Sequence, residues 1–107
     1  MLAQHDRAVI ERFKTLMIER GVPLHSTTLF GSRARGDAEW DSDYDVLVVV
    51  ERVDPAIRQT ISRSAWEAGF PDCLVIVPVV ATRYEIENTA FRSSLLMQAV
   101  RDDGIAV

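Results

Sequence analysis

The 107-residue sequence predicts an α/β sandwich, a small mixed β-sheet flanked by helices, and three observations carry that prediction. The run Val46-Leu47-Val48-Val49-Val50 is apolar on both faces, as a central strand covered on two sides must be. Before and after it lie stretches whose apolar residues recur at three- and four-residue spacing, the pattern of amphipathic helices. Strand-like and helix-like segments alternate along the chain, with no repeat, linker or low-complexity segment between them.

The first helix spans roughly residues 3 to 20, where Val9, Ile10, Phe13, Leu16 and Met17 form one apolar stripe; Gly21 and Pro23 stop it. The β-forming residues of Ser26 to Phe30 predict a short strand, and Val46 to Val50 the central one. Asp54 and Pro55 make an N-cap and first-turn pair for a helix over 55 to 68, with Ile57, Ile61 and Ala65 on one stripe and Gly69 as its stop. Leu74 to Val77 predicts the next strand, with Pro78 putting its far end at an edge or outside the ladder. Thr82 and Glu85 have capping-box spacing and open a third helical region, breaking near Asn88, whose later part buries Phe91, Leu95, Leu96 and Ala99. Ile105 to Val107 is long enough only for a short terminal strand.

The length fits one domain over residues 1–107. Twelve basic against sixteen acidic residues give a net charge of −4, which argues against gripping nucleic acid by general electrostatic attraction. One cysteine, Cys73, excludes an internal disulfide and suits a reducing compartment, so a cytoplasmic location is expected. The first twelve residues include His5, Asp6, Arg7 and Glu11 rather than the apolar stretch of a signal peptide, and no later run reaches the ~18 apolar residues of a membrane span.

Five acids fall in the nine residues from Asp37 to Asp45. Side chains at i and i+2 of a strand share a face, so Asp43 and Asp45 point one way at the entrance to the central strand and Tyr44 the other. Asp72 stands before the next apolar strand; if the helix over 55 to 68 is a right-handed crossover, the two strands are parallel and Asp72 joins the pair. At about 5 Å and an effective dielectric near 20, each pair of ionised carboxylates repels by roughly 3 kcal/mol, so a bare trio stores on the order of 10 kcal/mol. That rivals the ~5–15 kcal/mol stability of a small domain. A protonated member, a nearby arginine or a divalent cation must relieve it, and all-oxygen ligands favour Mg²⁺ or Mn²⁺ over zinc. On composition alone the alternative stays open that Asp43 and Asp45 merely cap turns and face water.

The strand ending at Phe30 runs into Gly31-Ser32-Arg33-Ala34-Arg35-Gly36. Glycine lets a ligand approach the backbone, Ser32 adds a hydroxyl, and Arg33 or Arg35 adds positive charge, the chemistry of a phosphate cradle. Ten residues separate Ser32 from Asp43, so the segment GSRARGDAEWDSDYD reads Gly-Ser, ten residues, Asp-any-Asp.

With that spacing the chain resembles the minimal nucleotidyltransferase family of the polymerase β-like nucleotidyltransferase superfamily. The resemblance implies that fold and a nucleotide-binding role for Gly31 and Ser32, with Arg33 and Arg35 beside them. It implies Mg²⁺ ligation by Asp43 and Asp45, with Asp72 as third carboxylate, metal ligand or general base. Two Mg²⁺ ions and ATP as substrate follow from the same likeness, and so does a partner, a HEPN ribonuclease toxin. The chain would then be the antitoxin of the pair, transferring AMP to a tyrosine of the toxin. Two other accounts compete: a binding module that neutralises its partner by contact, and a nucleotidyltransferase for a small-molecule hydroxyl.

Several residues are set aside. His5 and His25 lack metal-ligand spacing, Cys73 reads as a small buried hydrophobe in a strand, and Trp66 as a packing residue of its helix. Trp40, in the polar loop, either stacks on a base or packs on its own domain.

Overall fold

A computed structural model describes residues 2–107. The first helix, α1 (Gln4–Glu19), buries Val9, Ile10, Phe13 and Met17 and ends where Gly21 takes a positive φ of 82°. Strand β1 (Leu24–Phe30) begins two residues before the predicted Ser26, and a ladder irregularity lies between Leu24 and Ser26. One helical turn, α2 (Ser32–Arg35), follows Gly31 directly. The central strand β2 (Tyr44–Val50) is buried throughout except at Asp45, which is half-buried.

Helix α3 (Pro55–Gly69) starts as the sequence predicts: the Asp54 side chain accepts the Ile57 N–H at 2.8 Å, and proline occupies the first turn. Strand β3 (Ile76–Thr82) leads into α4 (Arg83–Asn88), whose capping box between Thr82 and Glu85 is complete. A 3₁₀ turn, Ala90–Ser93, separates α4 from α5 (Leu95–Asp103), and β4 (Ile105–Ala106) closes the chain.

The strands form one mixed sheet in the order β3-β2-β1-β4. Strands β1 and β2 are antiparallel, pairing Leu24 with Val50 at one end and Phe30 with Asp45 at the other. Strands β2 and β3 are parallel, as the crossover through α3 requires, with Tyr44 beside Ile76 and Asp45 beside Val77. Alternation along β2 divides the core. Tyr44, Val46, Val48 and Val50 pack with α1 and α3, while Leu47 and Val49 pack with Phe30, Ala81, Met97 and Val100 on the other face.

Four expectations fail locally, at the start of β3, Cys73, Trp66 and Leu95. Strand β3 begins at Ile76 rather than Leu74 and continues through Pro78 to Thr82. A 3₁₀ turn, Phe70–Asp72, and Cys73 in the left-handed region (φ 56°) follow α3, and the Leu74 N–H bonds back to the Gly69 carbonyl at 3.0 Å, so these residues close the helix instead of opening the strand. Pro78 is accommodated because β3 is an edge strand. For the same reason Cys73 is exposed in a turn, not buried in a strand. Trp66 is also exposed, and stacks on Phe70 with ring centroids 4.7 Å apart.

In the last helix Leu95 is exposed while Met97 and Val100 are buried. Ser94 restarts the helix by capping the Met97 N–H, which turns those two residues toward the sheet. No helix among the described residues is long and apolar enough to cross a membrane.

Phe13 and Ile18 lie on opposite faces of α1, one fully buried and one 56% exposed. Phe13→Ala is expected to cost ~3–5 kcal/mol in chemical denaturation, and Ile18→Ala to stay within about 0.5 kcal/mol of the parent.

Candidate active site

Strand β1 delivers Gly31 to the end of the sheet at which β2 begins. Gly31 has φ 76° and ψ −157°, a conformation in which side-chain-bearing residues are strained. It also has no room for one: a Cβ there would stand 2.5 Å from Oδ2 of Asp45. The Asp45 carboxylate thus lies against the bare Cα of the residue that opens the α2 turn. Within that turn the Gly31 carbonyl accepts the Ala34 and Arg35 N–H groups, and the Ser32 carbonyl accepts those of Gly36 and Asp37. Gly36, at φ 84°, ends it in the left-handed region.

Asp43 and Asp45 flank Tyr44, as alternation along the strand dictates. Asp43 is exposed and Asp45 half-buried. The Asp45 carboxyl is held above the ordinary carboxylate range, first by burial and then by repulsion from Asp43, against an opposing pull from Arg35. Apolar residues stand in register with Asp45 on both sides, the buried Phe30 on β1 and the partly exposed Val77 on β3. A hard divalent cation suits this pair of oxygen donors and would relieve their repulsion.

Tyr44 turns the other way and is fully buried. Its hydroxyl donates to Asp6 of α1, and burial followed by that bond moves the phenol well above its usual range. The Arg33 guanidinium lies 4.4 Å from the centre of the Tyr44 ring. Its Nε and Nη2 donate to the Ser42 carbonyl at 3.1 and 2.8 Å, Nη2 donates to the Trp40 carbonyl at 2.9 Å, and Nη1 is 3.6 Å from Asp6. Arg33 is therefore committed within the chain, against the expectation that it faces phosphate. It ties the loop preceding Asp43 to the turn that follows Gly31.

Arg35 is exposed, with Nε 3.2 Å from Asp37 and Nη1 3.5 Å from Asp103, and it is the cation acting on Asp45. The Trp40 ring is 84% exposed, so it does not pack on its own domain.

Asp72 does not join the pair. It lies in the 3₁₀ turn after α3, where Arg12 of α1 donates to it at 2.7 Å and also to the Ala68 carbonyl. That bond holds the Asp72 carboxyl below the ordinary range. Helix α1 covers the face to which Tyr44 points, so Asp72 is on the opposite side of the sheet from Asp45. The sequence expectation placed Asp72 directly before the strand, but three turn residues intervene before Ile76 and carry it away. Among the described residues, no three His, Cys, Asp or Glu side chains gather into a metal-binding group.

Sequence reasoning missed Asp6 and Val77. Asp6 continues the stripe of Val9, Ile10 and Phe13 by one turn, a signal that an acid was facing inward; Val77 could be placed beside Asp45 only once the start of β3 was known.

The profile of the family described as "Nucleotidyltransferase domain" matches residues 10–102. No curated protein sequence matches the chain. Among solved structures, a toxin–antitoxin with AMP-PNP is similar at 21% identity and a TM-score of 0.63, over 90% of this chain and 69% of that one. A tri-AMPylated HEPN toxin of Shewanella oneidensis in complex with MNT antitoxin is similar at 18% identity and 0.57, over 94% and 69%. A nucleotidyltransferase from Sulfolobus solfataricus is similar at 20% identity and 0.50, over 92% and 85%.

Two predictions follow from the Gly31–Asp45 contact. The folded-state pKa of Asp45 is raised, so its charge costs stability above that pKa and the cost vanishes below the unfolded value of about 4. In metal-free buffer Asp45→Asn should raise the melting temperature at pH 7, with the gain shrinking as the pH falls toward about 4. Gly31→Ala should destabilise by ~1–3 kcal/mol and displace the Asp45 carboxylate. Gly36→Ala, where nothing lies within 4 Å of the added Cβ, should cost ~1–2 kcal/mol from its positive φ alone and leave Asp45 in place, as denaturation curves and a structure of each variant would reveal.

Proposed function

The chain belongs to the nucleotidyltransferase-domain family and has a polymerase β-like nucleotidyltransferase fold, and from that premise we propose that it is a cytoplasmic antitoxin that transfers AMP from ATP to a tyrosine of a HEPN ribonuclease toxin. The observation that carries this reading is the contact of Asp45 with the Gly31–Ser32 turn. A phosphate-cradling turn and a carboxylate pair serve nucleotidyl transfer only if they share one small volume, and here the missing side chain of Gly31 is what brings them together. The AMP-PNP complex and the AMPylated toxin among the similar structures support the choice of nucleotide and acceptor.

In this reading the Gly31 and Ser32 backbone and the Ser32 hydroxyl hold the triphosphate, and Asp43 and Asp45 hold Mg²⁺. When bound, Mg²⁺ supplies charge neutralisation for the phosphates and the departing pyrophosphate. Arg35, exposed and already acting on Asp45, can present Nη2 to a phosphate oxygen while Nε stays with Asp37 and Nη1 with Asp103. Arg33 and the buried Tyr44–Asp6 bond keep the Asp43 loop and the α2 turn at fixed separation. An acceptor hydroxyl attacks the α-phosphorus and gives up its proton to solvent, the bond to the β-phosphate breaks, pyrophosphate leaves, and AMP stays on the acceptor oxygen.

A second reading is favoured by the position of Asp72. With Asp72 held by Arg12 and no group of three ligating side chains among the described residues, the chain could neutralise its partner by contact and use the nucleotide pocket for stability alone.

ATP labelled at the α-phosphate, Mg²⁺ and the HEPN partner separate the two. Label is expected on a partner tyrosine, and Asp43→Asn should reduce it by more than the ~10–100-fold that losing an outer-shell metal partner costs. Toxin neutralised without label, or equally by Asp43→Asn, would establish the contact reading instead.

A further inference from the structure

Residues in register on neighbouring strands of a pleated sheet present their side chains to the same face. The row through Asp45 is Phe30, Asp45, Val77. Across both ladders the carboxylate therefore has hydrocarbon beside it. Val77 is 37% exposed although it lies within a strand, so the position next to Asp45 on β3 is open enough for an acid to reach solvent and ligand there. Of the acids outside this row, Asp37 and Asp103 face Arg35, and Asp72 is held by Arg12 on the opposite face.

A two-ion site sets its cations about 3.5–4 Å apart, and their mutual repulsion is tolerable only where enough anionic oxygen lies between and around them. Mg²⁺ also demands near-octahedral oxygen geometry, filled by one or two carboxylates together with substrate phosphates and water. Asp43 and Asp45 meet that demand for one ion. A second ion would need an anionic ligand from the neighbouring strand, where the chain offers an isopropyl group.

We infer that this site takes a single divalent cation with its nucleotide, and that Val77 is the residue that sets the number at one. The inference rests on the proposed nucleotidyl transfer and departs from the two-ion arrangement that the family resemblance implies. Val77 neither binds nor reacts; it withholds the ligand that a second cation requires.

Crystals grown with AMP-PNP and Mn²⁺ test this by counting ions in the anomalous difference map, with native mass spectrometry of the same complex as an independent count. One Mn²⁺ per chain, between Asp43, Asp45 and the triphosphate, is the expected result, rising to two in Val77→Asp. Two ions in the parent protein, or a single ion unchanged in a folded Val77→Asp, would overturn the inference. Should Val77→Asp fail to fold, Val77→Glu is counted in its place, and two ions in the parent protein overturn the inference with either variant. No ion at the carboxylates would overturn it together with the metal-binding half of the proposed function, whereas failure of the toxin-labelling assay with one ion bound would overturn the acceptor alone.

Discussion

Asp45 rests against a glycine that has neither the φ nor the space for any other residue, and the geometry of the candidate site depends on that contact. It exists because β1 and β2 are antiparallel neighbours with Phe30 opposite Asp45, so the residue after Phe30 must pass beside that carboxylate. A sheet partner that shortens the path for a ligand also removes water from the acid, and the raised Asp45 carboxyl is the result. Such a carboxylate, partly desolvated and beside Asp43, lowers stability when charged, and a cation at the proposed site would relieve it. Site and strain are the same feature here.

The second constraint works from behind the sheet. Tyr44 sits between the two aspartates in sequence and is buried where they are not. Its ring supports Arg33, its hydroxyl is held by Asp6, and Arg33 in turn holds the carbonyls of Trp40 and Ser42. The loop carrying Asp43 is thereby fastened to α1 and to the α2 turn, although its own sequence is polar and largely exposed. Rigid placement of an exposed loop by a buried aromatic and a buried-side arginine is what a site needs when its ligands come from a strand entrance and not from a helix.

Much of this was legible in the sequence because the strongest signals are local. The two-sided apolar run of β2, the Asp54-Pro55 start of α3 and the Thr82-Glu85 capping box each fix an element through chemistry within four residues, and each stands where expected. The spacing from Ser32 to Asp43 and the alternation through Asp45 likewise placed the turn and the pair at one end of the sheet. Asp72 was misread because its position depends on how α3 ends. A left-handed Cys73 and a bond from Leu74 to Gly69 consume residues that by composition alone look like strand. Val77 was overlooked for the same reason, since register follows from the strand's start. Arg33 was misassigned because its partners, Asp6 and the loop carbonyls, come from elements that only the fold brings beside it.

Pro78 has one more effect. The two outer strands of the sheet are β3, interrupted by a residue with no N–H, and β4, only two residues long. Neither offers the long row of free main-chain donors and acceptors on which a foreign strand could be templated. Ribbon-like growth from chain to chain is thus disfavoured along β3, where a docking strand meets a missing donor in mid-edge.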